Sequence, residues 1–127
     1  MTSNWQMERT GGTSGMPQYA ILIYEKETPG GVADIPPDVM EANMRAGERI
    51  AAMGVRVVHE QGLEPSAATR TIHKDGLVTD GPFIESKEVI AGFFVVETED
   101  LETAVAVGRL LPIMDGAVEV RPLLPVE

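Results

Sequence analysis

The 127-residue sequence contains no cysteine, which excludes a disulfide framework, a thiolate nucleophile and a cysteine-based zinc site. Aromatic residues make up only 5% of the chain, so few rings are present to stack on a ligand. No apolar run has the length of a membrane span, and the first residues lack the apolar segment of a secretory signal. We therefore expect a cytoplasmic protein with no membrane contact.

Basic residues are also scarce, since 10 lysines and arginines face 20 aspartates and glutamates, for a formal net charge of −10. A surface this acidic repels phosphate backbones, so we expect no nucleic-acid partner. Residues 1–16 are polar and rich in glycine, serine and threonine, which is typical of an N-terminal extension, either native or left from cloning. Residues 17–127 are long enough to form a single domain with its own core.

Hydrophobic periodicity predicts an alternation of strands and helices. Branched and aromatic runs predict strands, and apolar residues spaced by three or four predict helices at 37–53 and 99–110. The hairpin turn Lys74-Asp75-Gly76 fits the positive φ angles of a tight turn. The predicted strands are 18–24, 55–60, 67–73, 77–79, 89–97 and 117–122. This order predicts an α+β fold of the ferredoxin-like type, an antiparallel sheet with two helices on one face.

The strands at 18–24 and 89–97 are apolar on both faces. Two helices can cover only one face of such a sheet, and an uncovered apolar face marks an interaction surface. The simplest cover is a second copy packed sheet on sheet, with about 10 Å between the sheets. The patterning therefore predicts a homodimer.

The stretch 78-VTDGPFIESKEVIAGFFVVE-97 resembles the signature of the DGPF subgroup of YCII-related proteins. The segments YAILIY, GLEPSAATRTIHKDG and VEVRPLL resemble the first strand, the hairpin and the closing strand of that family, over about residues 17–124. The resemblance implies a ferredoxin-like fold that dimerises into an α/β barrel. Some YCII relatives are thought to be enzymes that use a histidine on the first helix with an aspartate, and others occur beside or fused to sigma-factor modules.

This sequence departs from the family pattern at several positions. The predicted first helix has no histidine, and Asn43 lies near where such a histidine would fall. Ile84 and Ser86 replace the commoner alanine and threonine, and the segment GRLLPIMDGA differs from the usual Arg-Ile-Pro spacing. The missing histidine puts a His–Asp mechanism in doubt.

The Asp-Gly-Pro-Phe corner supplies the first candidate site residues. Asp80 could act as a general base or orient a ligand, or its side chain could accept backbone N–H groups and fix the turn. Gly81 would give the unusual φ angle of that corner and Pro82 its rigidity. Phe83 is interpreted as an apolar plug under the turn, with a pocket wall as the alternative.

The charged cluster after the corner and two histidines supply the others. Glu85 and Lys87 belong to an alternating-sign cluster, in which Lys87 either pairs with Asp80 or holds a carboxylate ligand. His59 and His73 are the only histidines, and either could shuttle a proton with Asp80. Their spacing matches no metal motif, and no glycine pattern matches a nucleotide fingerprint, so we expect neither a metal nor a cofactor.

Two functional hypotheses follow from these residues. In the first, a dimeric protein binds a small organic molecule, a carboxylate or aromatic acid, near the DGPF corner, with or without acid–base chemistry of the elimination or isomerisation type. In the second, a non-catalytic dimer acts as an interaction module in a transcription-regulatory context. An enzyme should show a closed pocket with perturbed carboxylates, and an interaction module should show a second exposed apolar patch. The sequence leaves the choice between catalysis and binding open.

Overall fold

The computed structural model describes residues 15–125, apart from the side chain of Val32, so the predicted extension lies almost wholly outside the described residues. Two short 3-10 turns, Gly31–Asp34 and Ser66–Ala68, accompany the longer elements. The strands and helices in chain order are β1 (Gln18–Lys26), α1 (Pro37–Ala52), β2 (Arg56–Gly62), β3 (Arg70–Ile72), β4 (Val78–Asp80), β5 (Glu88–Glu97), α2 (Leu101–Arg109) and β6 (Ala117–Pro122).

Four of these strands form one antiparallel sheet in the order β2-β5-β1-β6. The two most apolar strands, β1 and β5, therefore lie at its centre. Strands β3 and β4 pair only with each other, in a separate two-stranded hairpin. The α+β fold with a ferredoxin-like antiparallel sheet and two helices on one face, predicted from the sequence, is confirmed.

The hydrophobic core lies between the helices and one face of the sheet. Tyr19 pairs with Val96 across the central strands, and Ile21 pairs with Phe94 two residues further along. These side chains therefore lie on the same face of the sheet, the one that the helices cover. The helices contribute Ala46, Ile50, Ala104 and Val107 to the same cluster, and Leu111 joins it from the segment after α2.

The helix ends are formed by residues that suit a helix terminus. Pro37 opens α1 at its first turn, and Gly54 follows its last residues with a φ of +76°. The carboxylate of Asp100 caps α2 by accepting the backbone N–H of Thr103 at 2.8 Å. Hydrogen bonds from the hydroxyl and backbone of Thr103 lower the pKa of Asp100.

The apolar stripe that periodicity predicts for the core side of α1 is too wide; it comprises Val39, Ala46, Ile50 and Met53, widened by Met40, Met44 and Ala51. Ala46 and Ile50 are buried, but Met44 is 74% exposed and Met40 and Met53 are also exposed. Met44 lies two residues from Ala46, which places it about 200° away around the helix, so both cannot face the sheet. On α2, where Leu101, Ala104, Val105 and Gly108 are predicted to face inward, Leu101 is exposed, and Val107, which is not in that set, is buried.

The strand predicted at 67–73 is shorter than expected. Pro65 opens a 3-10 turn, closed by the N–H of Ala68 on the Pro65 carbonyl, so β3 begins only at Arg70. The hairpin turn after it is confirmed: Gly76 has a φ of +93°, and the N–H of His73 donates to the Leu77 carbonyl at 2.8 Å. The strand expected at 77–79 lies one residue later, at Val78–Asp80.

The opposite face of the sheet, here called the outer face, is reached by neither helix. One row across it is His59, Val95, Ala20 and Arg121; the next is Gln61, Phe93, Leu22 and Glu119. The apolar members of these rows lie on the two central strands and are only half-buried. No helix within residues 15–125 is long and apolar enough to cross a bilayer.

Candidate functional site

A groove of about 570 Å³ lies beside the DGPF corner and is here called the DGPF groove. Its floor includes Tyr24 and Ile90, which pair with each other across β1 and β5 at the edge of the outer face. Its walls come from the two segments that connect the hairpin to the sheet, with Leu63 and Pro65 on one and Pro82 and Phe83 on the other. The groove is therefore built from the segments that carry the family resemblance.

The corner itself is fixed by backbone geometry. Gly81 has a φ of +89°, a conformation that side-chain-bearing residues rarely adopt. Its N–H donates to the Thr69 carbonyl at 2.8 Å, and the Thr71 hydroxyl donates to the Gly81 carbonyl at 2.7 Å. Gly81 therefore has the unusual φ angle predicted for the corner, and Thr69 and Thr71 hold its backbone.

Asp80 does not fix the corner. Its carboxylate is 86% exposed and pairs with Arg70, at 3.3 Å from the Arg70 Nε. The two residues face each other in the hairpin register. Among the described residues no backbone N–H donates to this carboxylate, so the Asx-turn interpretation is wrong. The pairing predicted with Lys87 is wrong as well, because the hairpin brings Arg70 to that side chain instead.

Phe83 lines the groove rather than filling the space beneath the turn. Its side chain is 75% exposed, and its ring meets that of His73 edge-on with 6.0 Å between centroids. The plug interpretation is therefore wrong and its alternative, a pocket wall, describes the position. Glu85 and Lys87 follow on the exposed connection to β5 and do not line the groove.

The three predicted catalytic residues lie on two parts of the fold, with His59 on the four-stranded sheet and His73 and Asp80 on the hairpin. His59 is on β2, where its ring packs beside Phe93 at 5.7 Å between centroids. His73 follows β3, with its Nε2 at 3.0 Å from the Thr79 hydroxyl. Within residues 15–125 no hydrogen bond joins Asp80 to either histidine, and no group of three or more His, Asp or Glu side chains is arranged to hold a metal. Catalytic roles for Asp80, His59 and His73 stay predictions.

One wall of the DGPF groove is tied to the sheet by Glu27, a residue that the sequence reasoning missed. The backbone N–H of Ser66 donates to the Glu27 carboxylate at 3.0 Å, and the Ser66 hydroxyl donates to its other oxygen. These bonds lower the pKa of Glu27. Ser66 lines the groove, but its hydroxyl proton is already committed to this carboxylate.

A second groove of about 470 Å³ lies between α1 and the helix face of the sheet, with Val39, Asn43 and Phe94 among its lining residues. Glu25 is buried at its end and accepts three backbone N–H groups, from Met114 at 2.7 Å, Asp115 at 3.0 Å and Gly116 at 3.1 Å. A carboxylate with three such donors anchors the loop before β6 rather than reacting with a ligand. Asn43, where the resemblance places a histidine in some relatives, faces this groove.

A comparison with protein-family models covers nearly all of the described fold. The model of the YCII-related domain matches residues 18–127. The chain belongs to the YCII-related family. An uncharacterized protein of Rhizobium meliloti (strain 1021) is 39% identical over 67 residues, which cover 48% of this chain and 54% of that protein. The chain thus matches about half the length of this curated relative, whose name gives no activity. The predicted family is confirmed, and membership of the DGPF subgroup stays a prediction.

Proposed function

We propose that this YCII-related protein is a homodimer that binds a small, largely apolar molecule in the DGPF groove. The observation that carries the proposal is the groove itself, whose volume of about 570 Å³ falls within the usual range for ligand pockets, about 300 to 1,000 Å³. Its lining is mainly aliphatic and aromatic, with a few polar groups at its edge. Such a composition favours an apolar body with one or two polar substituents.

The charges around the groove favour a neutral or cationic ligand over an acid. Glu64 and Glu88 are its charged lining residues, and among the described residues no lysine, arginine or histidine lines it. A carboxylate would therefore meet two like charges and no partner, in a chain of net charge −10. The predicted ligand was a carboxylate or aromatic acid. The apolar lining of the groove suits its aromatic ring, but the groove offers no positive charge to its carboxylate.

A thermal-shift series tests this preference. Three probes share one ring system and differ in charge: 1-naphthylmethylamine, 1-naphthalenemethanol and 1-naphthoate. A ligand bound only by the native state raises the melting temperature, by an amount that corresponds to about 2.7 kcal/mol at a hundredfold excess over Kd. We expect the amine and the alcohol to raise it and the acid to have little effect. Phe83→Ala should remove most of the increase.

The matched control is Leu124→Ala, which truncates a side chain of the same 75% exposure outside the groove. This variant should keep the full response to the amine and the alcohol. An acid that stabilised the protein best would contradict the charge argument. If the probes raised the melting temperature of Phe83→Ala as much as that of the wild type, the groove would not be the binding site.

The homodimer is proposed from the outer face. Leu22, Phe93 and Val95 present a continuous apolar surface on the central strands, which a second sheet would cover. Val95→Lys would place one buried ammonium on each side of that interface, and two like charges brought together in a desolvated interface are strongly unfavourable. We expect the wild type to be a dimer at micromolar concentration by light scattering and Val95→Lys to be a folded monomer.

The control for this change is Met44→Lys, which adds the same charge to an exposed position on α1 and should leave the dimer intact. The dimer proposal fails if the wild type itself is monomeric at micromolar concentration. It also fails if Val95→Lys remains dimeric with unchanged affinity.

Acid–base chemistry has less support than binding. The lowered pKa values of Glu27 and Asp100 come from hydrogen bonds that hold a turn and a helix end, and the carboxylate of Asp80 lies in water beside Arg70. The alternative, an interaction module, gains one observation, because the β3–β4 hairpin carries a second exposed apolar patch. Its regulatory context and a cytoplasmic location stay predictions.

A further inference from the structure

The hairpin of β3, its turn and β4, residues 70–80, is here called the arm. It has three residue pairs and joins no other strand of the described chain. A two-stranded hairpin of this size is at best marginally stable in water unless another element packs on it. No strand or helix of residues 15–125 pairs with the arm, so its exposed face needs another cover.

One face of the arm carries an open apolar pair next to the Arg70–Asp80 ion pair. Ile72 pairs directly with Val78, and their side chains are 74% and 54% exposed. Leu77, next to Val78, is 59% exposed and alternates to the other face, where it is paired with His73. The opposite face is different, because there Thr71 bonds the corner and Thr79 meets His73. The exposed pair of Ile72 and Val78 thus forms a small apolar patch on one face of the arm.

The arm is continuous with the outer face of the sheet. The segments at its base form the walls of the DGPF groove, and Tyr24 and Ile90 in the groove floor belong to the outer-face edge. A body that covers the outer face therefore also approaches the groove and the arm.

The charge distribution favours a second copy of this chain as that body. Residues 70–80 contain two basic residues, Arg70 and Lys74, and two acidic residues, Asp75 and Asp80, so the arm is neutral and the whole excess of −10 lies elsewhere. Two copies repel each other over most of their surfaces, and the arm is a surface on which they can meet without that repulsion. A cationic partner would instead be drawn to the acidic body.

We propose that the arm is a dimer clasp: its apolar face packs on the second copy, and the DGPF groove is completed by that copy. The inference rests on the proposed homodimer. It adds that the partner contributes to the ligand site, so that the site is complete only in the dimer.

Ile72→Ser tests the clasp. Because Ile72 is exposed in the protomer, its truncation should cost the folded protomer little. Loss of one buried isoleucine contact weakens association about tenfold or more, and a two-fold symmetric dimer contains the contact twice. We expect the dimer Kd, measured by sedimentation velocity over a dilution series, to rise about a hundredfold.

Met44→Ser is the matched control, since Met44 has the same 74% exposure on α1. It should leave the Kd within threefold of the wild type. An unchanged Kd in Ile72→Ser, with Val95→Lys still monomeric, overturns the clasp and leaves the dimer standing. An equal rise in Met44→Ser overturns the clasp as well. A monomeric wild type would remove both proposals.

Amide hydrogen exchange supplies a readout that does not depend on the folding of Ile72→Ser. In the clasp, the backbone amides of residues 70–80 should exchange slowly in the wild-type dimer and at least tenfold faster in monomeric Val95→Lys. Exchange at the same rate in both proteins would show that the arm packs on nothing in the dimer and would overturn the proposal.

Addition of 1-naphthylmethylamine should stabilise the dimer more than the Val95→Lys monomer, and equal stabilisation would overturn the shared site.

Discussion

Gly116→Ala is expected to prevent stable folding. A Cβ atom at position 116 would lie 1.7 Å from the carbonyl oxygen of Tyr24 and 2.6 Å from its carbonyl carbon. Both are backbone atoms of a central strand, so no side-chain rotation relieves the overlap. We expect a loss of about 4 kcal/mol or more, at the far end of the range for single substitutions. Circular dichroism melting should show a decrease of about 15 °C or no cooperative transition.

The close approach matters because two long-range contacts depend on it. Ala117, the next residue, pairs with Tyr24 in the register of β1 and β6. The N–H of Gly116 donates to the buried Glu25 carboxylate at 3.1 Å. Displacement of residue 116 would open the end of the β1–β6 ladder. It would also weaken the hydrogen bonds by which Glu25 holds the preceding loop.

Gly47→Ala is the matched control, because it makes the same chemical change with the opposite expected sign. Gly47 lies inside α1, and a Cβ there would have no atom within 4 Å. Alanine in a helix interior is favoured over glycine by about 0.8 to 1.0 kcal/mol, so the melting temperature should rise by a few degrees. A Gly116→Ala protein that melted within about 2 °C of the wild type would contradict the tight packing of β1 against the loop.

Much of the fold could be predicted from local sequence signals. Branched residues along 18–24 and 89–97 predict central strands, and both lie at the centre of the sheet. Pro37 and Gly54 mark the start and end of α1 because each satisfies a backbone requirement of a helix terminus. The predictions were wrong where tertiary packing determines burial. The width of the buried stripe on α1, for example, depends on how closely the helix lies on the sheet.

The candidate site was less predictable because its contacts join distant segments. Nothing local to Glu25 shows that it will accept N–H groups about 90 residues away. Phe83 is as apolar as a core residue, yet it lies on the connection after the arm and is 75% exposed. The pairing of Asp80 was open to prediction, since Arg70 and Asp80 each lie five residues from Asp75 in the hairpin turn.

Glu25→Ala is expected to lower the free energy of unfolding by about 3 to 5 kcal/mol. The change would leave the N–H groups of Met114, Asp115 and Gly116 without their acceptor. Hydrogen bonds to a charged group are stronger than neutral ones, and partly buried donors left unmatched keep their desolvation cost. Urea denaturation should show a lower midpoint, and hydrogen exchange should show faster exchange at residues 114–116.

Two variants test whether the Glu25 carboxylate anchors the loop through its three backbone bonds. Glu48→Ala removes an exposed carboxylate from α1 and should leave the urea midpoint nearly unchanged. Glu25→Gln keeps the side-chain shape but replaces one acceptor oxygen by an NH₂ group, which would face N–H donors. It should therefore lose at least half of the stability that Glu25→Ala loses. If Glu25→Gln instead kept the wild-type midpoint, the three backbone bonds would not anchor the loop. The Glu25 carboxylate would then be available to a ligand at the end of the second groove, between α1 and the sheet.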